Sequence, residues 1–101
     1  MLIKRVRENP ELYTKKLKRY EGERKKRILN KVKELQIALL SVDNLSNIPR
    51  SLIKPSNYPP FKRADIEGDL RLYWWIDKDG ILVLHDICTH KEAKGYGDVH
   101  K

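Results

Sequence analysis

A set of side chains suited to proton transfer and phosphate binding lies after position 60 of this 101-residue chain, where all its histidines fall. They are Arg71, His85, and His90 followed by Lys91 and Glu92, with Lys62 and Arg63 upstream. An imidazole, with a pKa of about 6.5, takes up and returns a proton near neutral pH. A guanidinium fork suits the oxygens of a phosphate. Each residue also has a plainer reading. Arg71 can pair with Asp69 or Asp86, His90 can be a surface residue at a strand end, and lysines of a basic protein are mostly solvated. Glu92 is an alternative proton acceptor. His85, His90, His100 and the single cysteine, Cys88, show no metal-ligand spacing, so no metal and no cofactor are expected.

The elements that must position these groups are legible as patterns. Leu2 to Val6 is a short strand or a lead-in. Asn9-Pro10-Glu11 predicts a helix start: Asn caps, Pro takes the first helical position, and Glu favours the positive end of the dipole. Leu12, Tyr13, Leu17 and Tyr20 form an apolar stripe, and Gly22 breaks the chain before the next helix. Ile28, Val32, Leu35 and Leu39 recur at spacings of four and three, with Leu29 and Leu40 widening the face. They predict a second helix from near Glu23 to near Ser41, antiparallel to the first because the connection is short.

Val42 to Pro60 carries prolines, asparagines and serines that deny regular structure. Ile48, Leu52, Ile53 and Tyr58 are its candidates for anchoring to a core. Phe61 to Ile66 reads as a weak strand, and Leu70 to Ile76 as a strong, aromatic one. Asp77-Lys78-Asp79-Gly80 is a tight turn, and Ile81 to Cys88 returns as the partner strand. A three-residue loop with a bulged Gly80 puts Asp77 opposite Ile81, and groups Arg71, Tyr73 and Trp75 with His85 and Ile87. A two-residue turn moves His85 to the other face, beside Trp74. The bulged form is favoured, because the four residues fit a type I turn. Trp74 and Trp75 must point to opposite sides: one is core and the other can line a groove. The expected fold is a single α+β domain over residues 1–101. Its two N-terminal antiparallel helices pack on one face of a small, mainly antiparallel sheet of three to four strands.

Hydrophobic residues make up 40% of the chain, too many for a disordered tail. The net charge is +8, and its placement is uneven. Residues 1–33 hold thirteen Lys/Arg against four Glu, and residues 34–101 hold nine against ten acids. The first third therefore attracts polyanions or an acidic protein partner, through a force blind to sequence. No apolar run approaches the ~20 residues that span a bilayer. The charges among residues 4–7 sit where a signal peptide is apolar. A single cysteine fits a reducing compartment. The expectation is a cytoplasmic protein with no membrane partner.

The last third carries a resemblance to a known family. The residues are Gly68-Asp69-Leu70-Arg71-Leu72-Tyr73-Trp74-Trp75-Ile76-Asp77, the strand Ile81 to Ile87, then Thr89-His90-Lys91-Glu92 and Tyr96. An arginine followed by alternating apolar and aromatic residues, then a polar strand-end motif of the Gly-Thr-His or Gly-Lys-Arg kind, resembles the RelE/HigB-type toxins of the RelE/ParE superfamily. Cys88 stands where that motif has its glycine. The motif likeness spans about residues 62–96, and the element order extends it to the whole chain.

The resemblance implies the toxin of a toxin–antitoxin pair, a ribosome-dependent endoribonuclease. The ribose 2′-hydroxyl attacks the adjacent phosphate, leaving a cyclic phosphate and a 5′-hydroxyl, without a metal. It implies Arg71 as phosphate clamp, His90 and Lys91 in proton transfer or phosphate binding, and Lys62 as a further catalytic cation. Tyr96 is then an aromatic for the displaced base, with Arg63, His85 and Lys94 as RNA contacts. The partners implied are messenger RNA on the ribosome and a cognate antitoxin, held in a hetero-oligomer. Two other functions compete: a ParE-like inhibitor of DNA gyrase without nuclease activity, and a non-catalytic RNA- or ribosome-binding module. The Thr89-His90-Lys91 cluster favours the nuclease over the gyrase inhibitor, and the basic first third by itself would suit the binding module.

Overall fold

Alternating residues in the last third build a meander. The computed structural model describes residues 1–56 and 60–93. In chain order these form β1 (Arg5–Glu8), α1 (a π-helical turn, Pro10–Thr14, running into an α-helical turn, Lys15–Leu17) and α2 (Gly22–Ser41). Then come two 3₁₀ turns (Leu45–Asn47 and Arg50–Leu52), β2 (Lys54–Pro55), β3 (Lys62–Glu67), β4 (Leu70–Ile76) and β5 (Ile81–Cys88). The sheet order is β1-β5-β4-β3-β2. β2 to β5 pair antiparallel, and β1 lies parallel to β5 along Ile81 to Leu84. The α+β class is as expected. The sheet has five strands rather than three or four, because the proline-rich loop contributes the two-residue β2.

α2 covers one face of the sheet. Its Ile28, Val32, Leu35 and Leu39 are buried against Ala64 of β3, Leu70, Leu72 and Trp74 of β4, and Leu82, Leu84 and Ile87 of β5. Leu29 and Leu40 do not widen this face: they are 43% and 47% exposed, as the sheet offers one helix only a narrow seam. The 3₁₀ turns bring Ile48 and Leu52 into the same core. Trp74 is the core tryptophan, and its indole N–H donates to the Leu52 carbonyl at 2.8 Å. Tyr58 lies outside the described residues.

α1 sits lower, against the half of β5 that β1 leaves uncovered. The chain leaves β1 through the Asn9 N–H, which donates to the Leu84 carbonyl at 2.9 Å. Asn9 then caps α1, its Oδ1 accepting from the N–H groups of Glu11 (3.0 Å) and Leu12 (3.2 Å). From there Tyr13 enters the core, where burial pushes its phenol up to about 12. Asn9→Ala should therefore lower stability by about 1 kcal/mol, read from urea denaturation. An unchanged midpoint would show that the cap is dispensable.

The β4–β5 turn adopts the three-residue form. The Gly80 N–H donates to the Asp77 carbonyl (3.0 Å), and the Asp77 N–H donates to the Ile81 carbonyl (3.0 Å). Gly80 has φ +76°, a left-handed conformation that a side chain would strain. Farther along, Tyr73 pairs with Asp86 while Trp74 pairs with Leu84, so β5 carries a bulge at His85. That extra residue reverses the facing of everything after it. His85 joins Arg71, Tyr73 and Trp75 on the face away from α2, whereas Ile87 turns into the core. Among the described residues no helix is long and apolar enough to cross a membrane.

Candidate functional site

The face of the sheet turned from α2 carries the chemistry. Strand pairing places Arg63 of β3 beside Tyr73, and Arg71 of β4 between Asp65 of β3 and Cys88 of β5. The chain after β5 folds back as a tight turn over residues 89–93. Its Thr89 Oγ1 accepts from the Glu92 N–H (3.3 Å), while the Glu92 carboxylate accepts from the Thr89 N–H (3.0 Å). This reciprocal capping box explains a Thr and a Glu three residues apart. It also fixes His90 and Lys91 between them.

Arg71 Nη2 and His90 Nδ1 lie 3.2 Å apart. A guanidinium only donates, so Nδ1 accepts and the neutral ring carries its proton on Nε2. Of the carboxylates near it in sequence, Asp69 pairs with Arg24 (3.6 Å) and Asp86 with Lys16 (2.8 Å). Glu92 lies 3.6 Å from Lys16 and closes the capping box, so it anchors the turn. Lys91 is exposed.

Behind the turn is a buried charge cluster. Lys16 reaches from α1 to Asp86, and the Cys88 thiol donates to the other Asp86 oxygen at 3.2 Å. Burial, then the neighbouring Asp86 carboxylate, pushes the Cys88 thiol far above its ordinary value, so it stays protonated and is no nucleophile. Burial opposes the charge on Lys16, but the hydrogen bond to Asp86 prevails and its pKa is raised.

The two basic residues of β3 part company. Arg63 lies on the site face, 8% exposed, with Nε 3.5 Å from Asp65 Oδ1, and Lys54 also pairs with Asp65. A guanidinium so enclosed positions its neighbours more readily than it contacts RNA. Lys62 shares the parity of Ala64, on the α2 side, and lines a separate cleft with Ile48, Ile53 and Lys54. Lys62 therefore does not share the face of Arg63 and Arg71, because a strand gives adjacent residues opposite faces. On the RNA-cleaving reading proposed below, Lys62→Ala should leave cleavage within about twofold of wild type, since a substitution distant from a site adds little to its energetics. A loss beyond tenfold would return Lys62 to the site. Tyr96 and Lys94 lie outside the described residues.

Towards the other end of β5, His85 stacks on Phe61, with ring centroids 4.1 Å apart and 18° between planes. The Asn9 cap bears on it as well. Asn9 Oδ1 is committed to α1, so its amide N–H₂ faces His85 Nδ1 at 3.3 Å, and that nitrogen accepts. Burial, partly offset by Asp86, holds the His85 pKa below its ordinary value, and the ring is neutral at pH 7. Its share of stability is present at neutral pH and is lost as the pH falls from the ordinary histidine range through the lowered folded pKa. Sequence reasoning missed the second use of Asn9 and the parts played by Phe61, Lys16 and Asp86. The one available signal was that a capping Asn leaves its amide N–H₂ unused. No protein-family model, curated protein or solved structure matches this chain.

Proposed function

We propose that the protein is the toxin of a toxin–antitoxin pair and cuts messenger RNA on the ribosome by metal-independent attack of the ribose 2′-hydroxyl. The observation that carries the reading is the Arg71–His90 contact at 3.2 Å, a phosphate-binding fork holding an imidazole at the edge of a basic protein. The element order, β1-α1-α2 followed by the β3-β4-β5 meander, keeps the β-α-α-β-β-β order of the resemblance and adds the two-residue β2.

The contact suggests how the site works. When the scissile phosphate enters, its oxygens take the Arg71 fork. His90 Nδ1 is then released to take the 2′ proton. The 2′ oxygen bonds to phosphorus and the bond to the 5′ oxygen breaks, while Arg71 stabilises the crowded phosphorane. Lys91, exposed on the same turn, is our assignment for the proton given to the leaving oxygen. An antitoxin would silence the site, forming a hetero-oligomer in the cytoplasm.

The test is primer extension on a defined message after a brief pulse of expression. Cuts within translated codons, absent when translation is blocked, are the expected result. Growth arrest with intact message and damaged DNA would replace the reading with gyrase inhibition. Salt-sensitive RNA binding with neither cuts nor arrest would leave a binding module.

A further inference from the structure

A groove of about 470 Å³ runs between the end of β1 and the centre of the sheet, on the same face as Arg71. It is lined by Arg7, Asn9, Phe61, Trp75, Val83 and His85. Its size falls within the ~300–1,000 Å³ of sites that hold a small planar ligand. The cleavage chemistry proposed above does not use it, though His85 is one of the RNA contacts that the resemblance implies.

Its walls have a consistent character. Phe61 packs on the buried Tyr73–Cys88–Ala93 cluster and stacks on His85. A planar ring entering the groove extends that row. Trp75, partly exposed, gives a second aromatic wall. His85 is held in one orientation by Phe61 and by the Asn9 amide, so its ring is set before any ligand arrives. Glu8, the acid at the rim, accepts from the Thr14 hydroxyl at 2.8 Å. Arg7 is the cation of the groove, 3.8 Å from Asp77 and with 56% of its side chain exposed. Aromatic walls with a cation at the mouth suit a base with its phosphate.

Placement along the sheet points the same way. Arg71 pairs with Cys88 and Trp75 with Val83, so both side chains project from β4 to the same side. Four residues of strand separate them by about 13 Å. A strand with its scissile phosphate at Arg71 therefore has a neighbouring nucleotide within reach of the groove.

We infer that the groove between Arg7, Trp75 and the stacked Phe61–His85 pair is a base-binding subsite, which takes one unpaired nucleobase of the RNA strand and holds its phosphate at Arg7. The inference rests on the RNA-cleaving reading above and adds to it a second point of attachment. Its role is positioning: a base held here fixes the register of the strand over Arg71 and His90.

The probe is a 2′-O-methyl hexaadenylate with one central 2-aminopurine, which the 2′-hydroxyl reaction cannot cut. Binding is read by fluorescein anisotropy, and stacking by quenching of the 2-aminopurine. Quenching is expected with wild type and to persist in Arg71→Ala. His85→Ala should abolish it and weaken binding by about tenfold to a hundredfold, the effect of losing one base–aromatic stack. His85→Phe should restore both, because it keeps the ring. Should His85→Ala fail to fold, the imidazole resonances of His85 in the wild-type protein give the answer: they shift on adding the probe if the groove is filled. Full quenching and affinity in a folded His85→Ala, or unmoved His85 resonances with the probe bound, overturns the subsite and leaves the nuclease reading intact. No RNA binding by wild type overturns the subsite, while the nuclease reading is decided separately by primer extension on translated message.

Discussion

Arg71→Ala should, on the proposed RNA-cleaving reading, slow cleavage on translating ribosomes about 10²- to 10³-fold, the effect of removing one preorganised group that meets developing charge. The loss should lie mainly in the rate at saturating message, because the fork matters most when the phosphorane carries its extra negative charge. Binding should weaken less, since the +8 protein retains its other cations. Arg71→Lys should fall between the two: it keeps a point charge but loses the fork and its geometry towards His90 Nδ1. The fold should be unaffected, because Arg71 is partly exposed and its strand neighbours Leu70 and Leu72 hold β4 in the core. The checks are single-turnover cleavage with matched circular dichroism. A folded Arg71→Ala that cuts at the wild-type rate would remove Arg71, and with it the role given to His90.

The second large effect is on stability. Asp86 is 3% exposed and accepts from the Lys16 ammonium (2.8 Å), its neighbour Ile87 N–H (2.8 Å) and the Cys88 thiol (3.2 Å). Asp86→Ala leaves Lys16 largely buried, with Glu92 at 3.6 Å and the weakly accepting Cys88 sulfur at 3.9 Å. Breaking one side of a buried pair costs about 3–5 kcal/mol, and the remaining Glu92 places this case near the lower end. A loss of about 3 kcal/mol corresponds to a fall of roughly 12–24 °C in Tm for a domain of this size. Such a loss is a large part of the ~5–15 kcal/mol that holds a domain together.

The double variant Lys16→Met with Asp86→Leu should recover most of the loss, because no unpaired charge remains. Lys16 has a raised pKa, so its share of stability is full at neutral pH and fades only as the pH rises through the raised value, above the ordinary lysine range. The cluster also reaches the site, since Lys16 ties α1 to Glu92 and hence to the turn that fixes His90. Asp86→Ala should therefore lose activity at temperatures where it is still folded. A Tm within a few degrees of wild type would show that the cluster does not stabilise the fold.

Features set by near neighbours were legible in the residues. The Asn9-Pro10 start needs only its own first turn. The Ile28, Val32, Leu35, Leu39 stripe needs only the helical period. The Asp77–Gly80 loop needs only the left-handed preference of glycine. The concentration of positive charge in residues 1–33 is a count. The meeting of Arg71 with His90 is not among these, since it depends on how the turn after β5 folds back beside β4.

Tertiary structure decided the rest, because strands alternate with a period of two and parity has no meaning until a partner is fixed. Lys62 and Arg63 were equivalent in the sequence; the pairing of Ala64 with Leu72 sends Lys62 to the helix side and Arg63 to the site. The bulge at His85 turns Ile87 inward, and nothing local to Leu84-His85-Asp86 announces it. Leu29 and Leu40 have core residue types yet stay exposed, since the width of a buried seam is set by what it packs against. The Lys16–Asp86 pair joins residues 70 positions apart, a distance that side-chain type does not bridge. The groove beside His85 exists only because β1 returns to lie beside β5. Periodicity and capping are local physics and can be read along the chain; facing, burial and long-range charge pairing arise only when the strands meet.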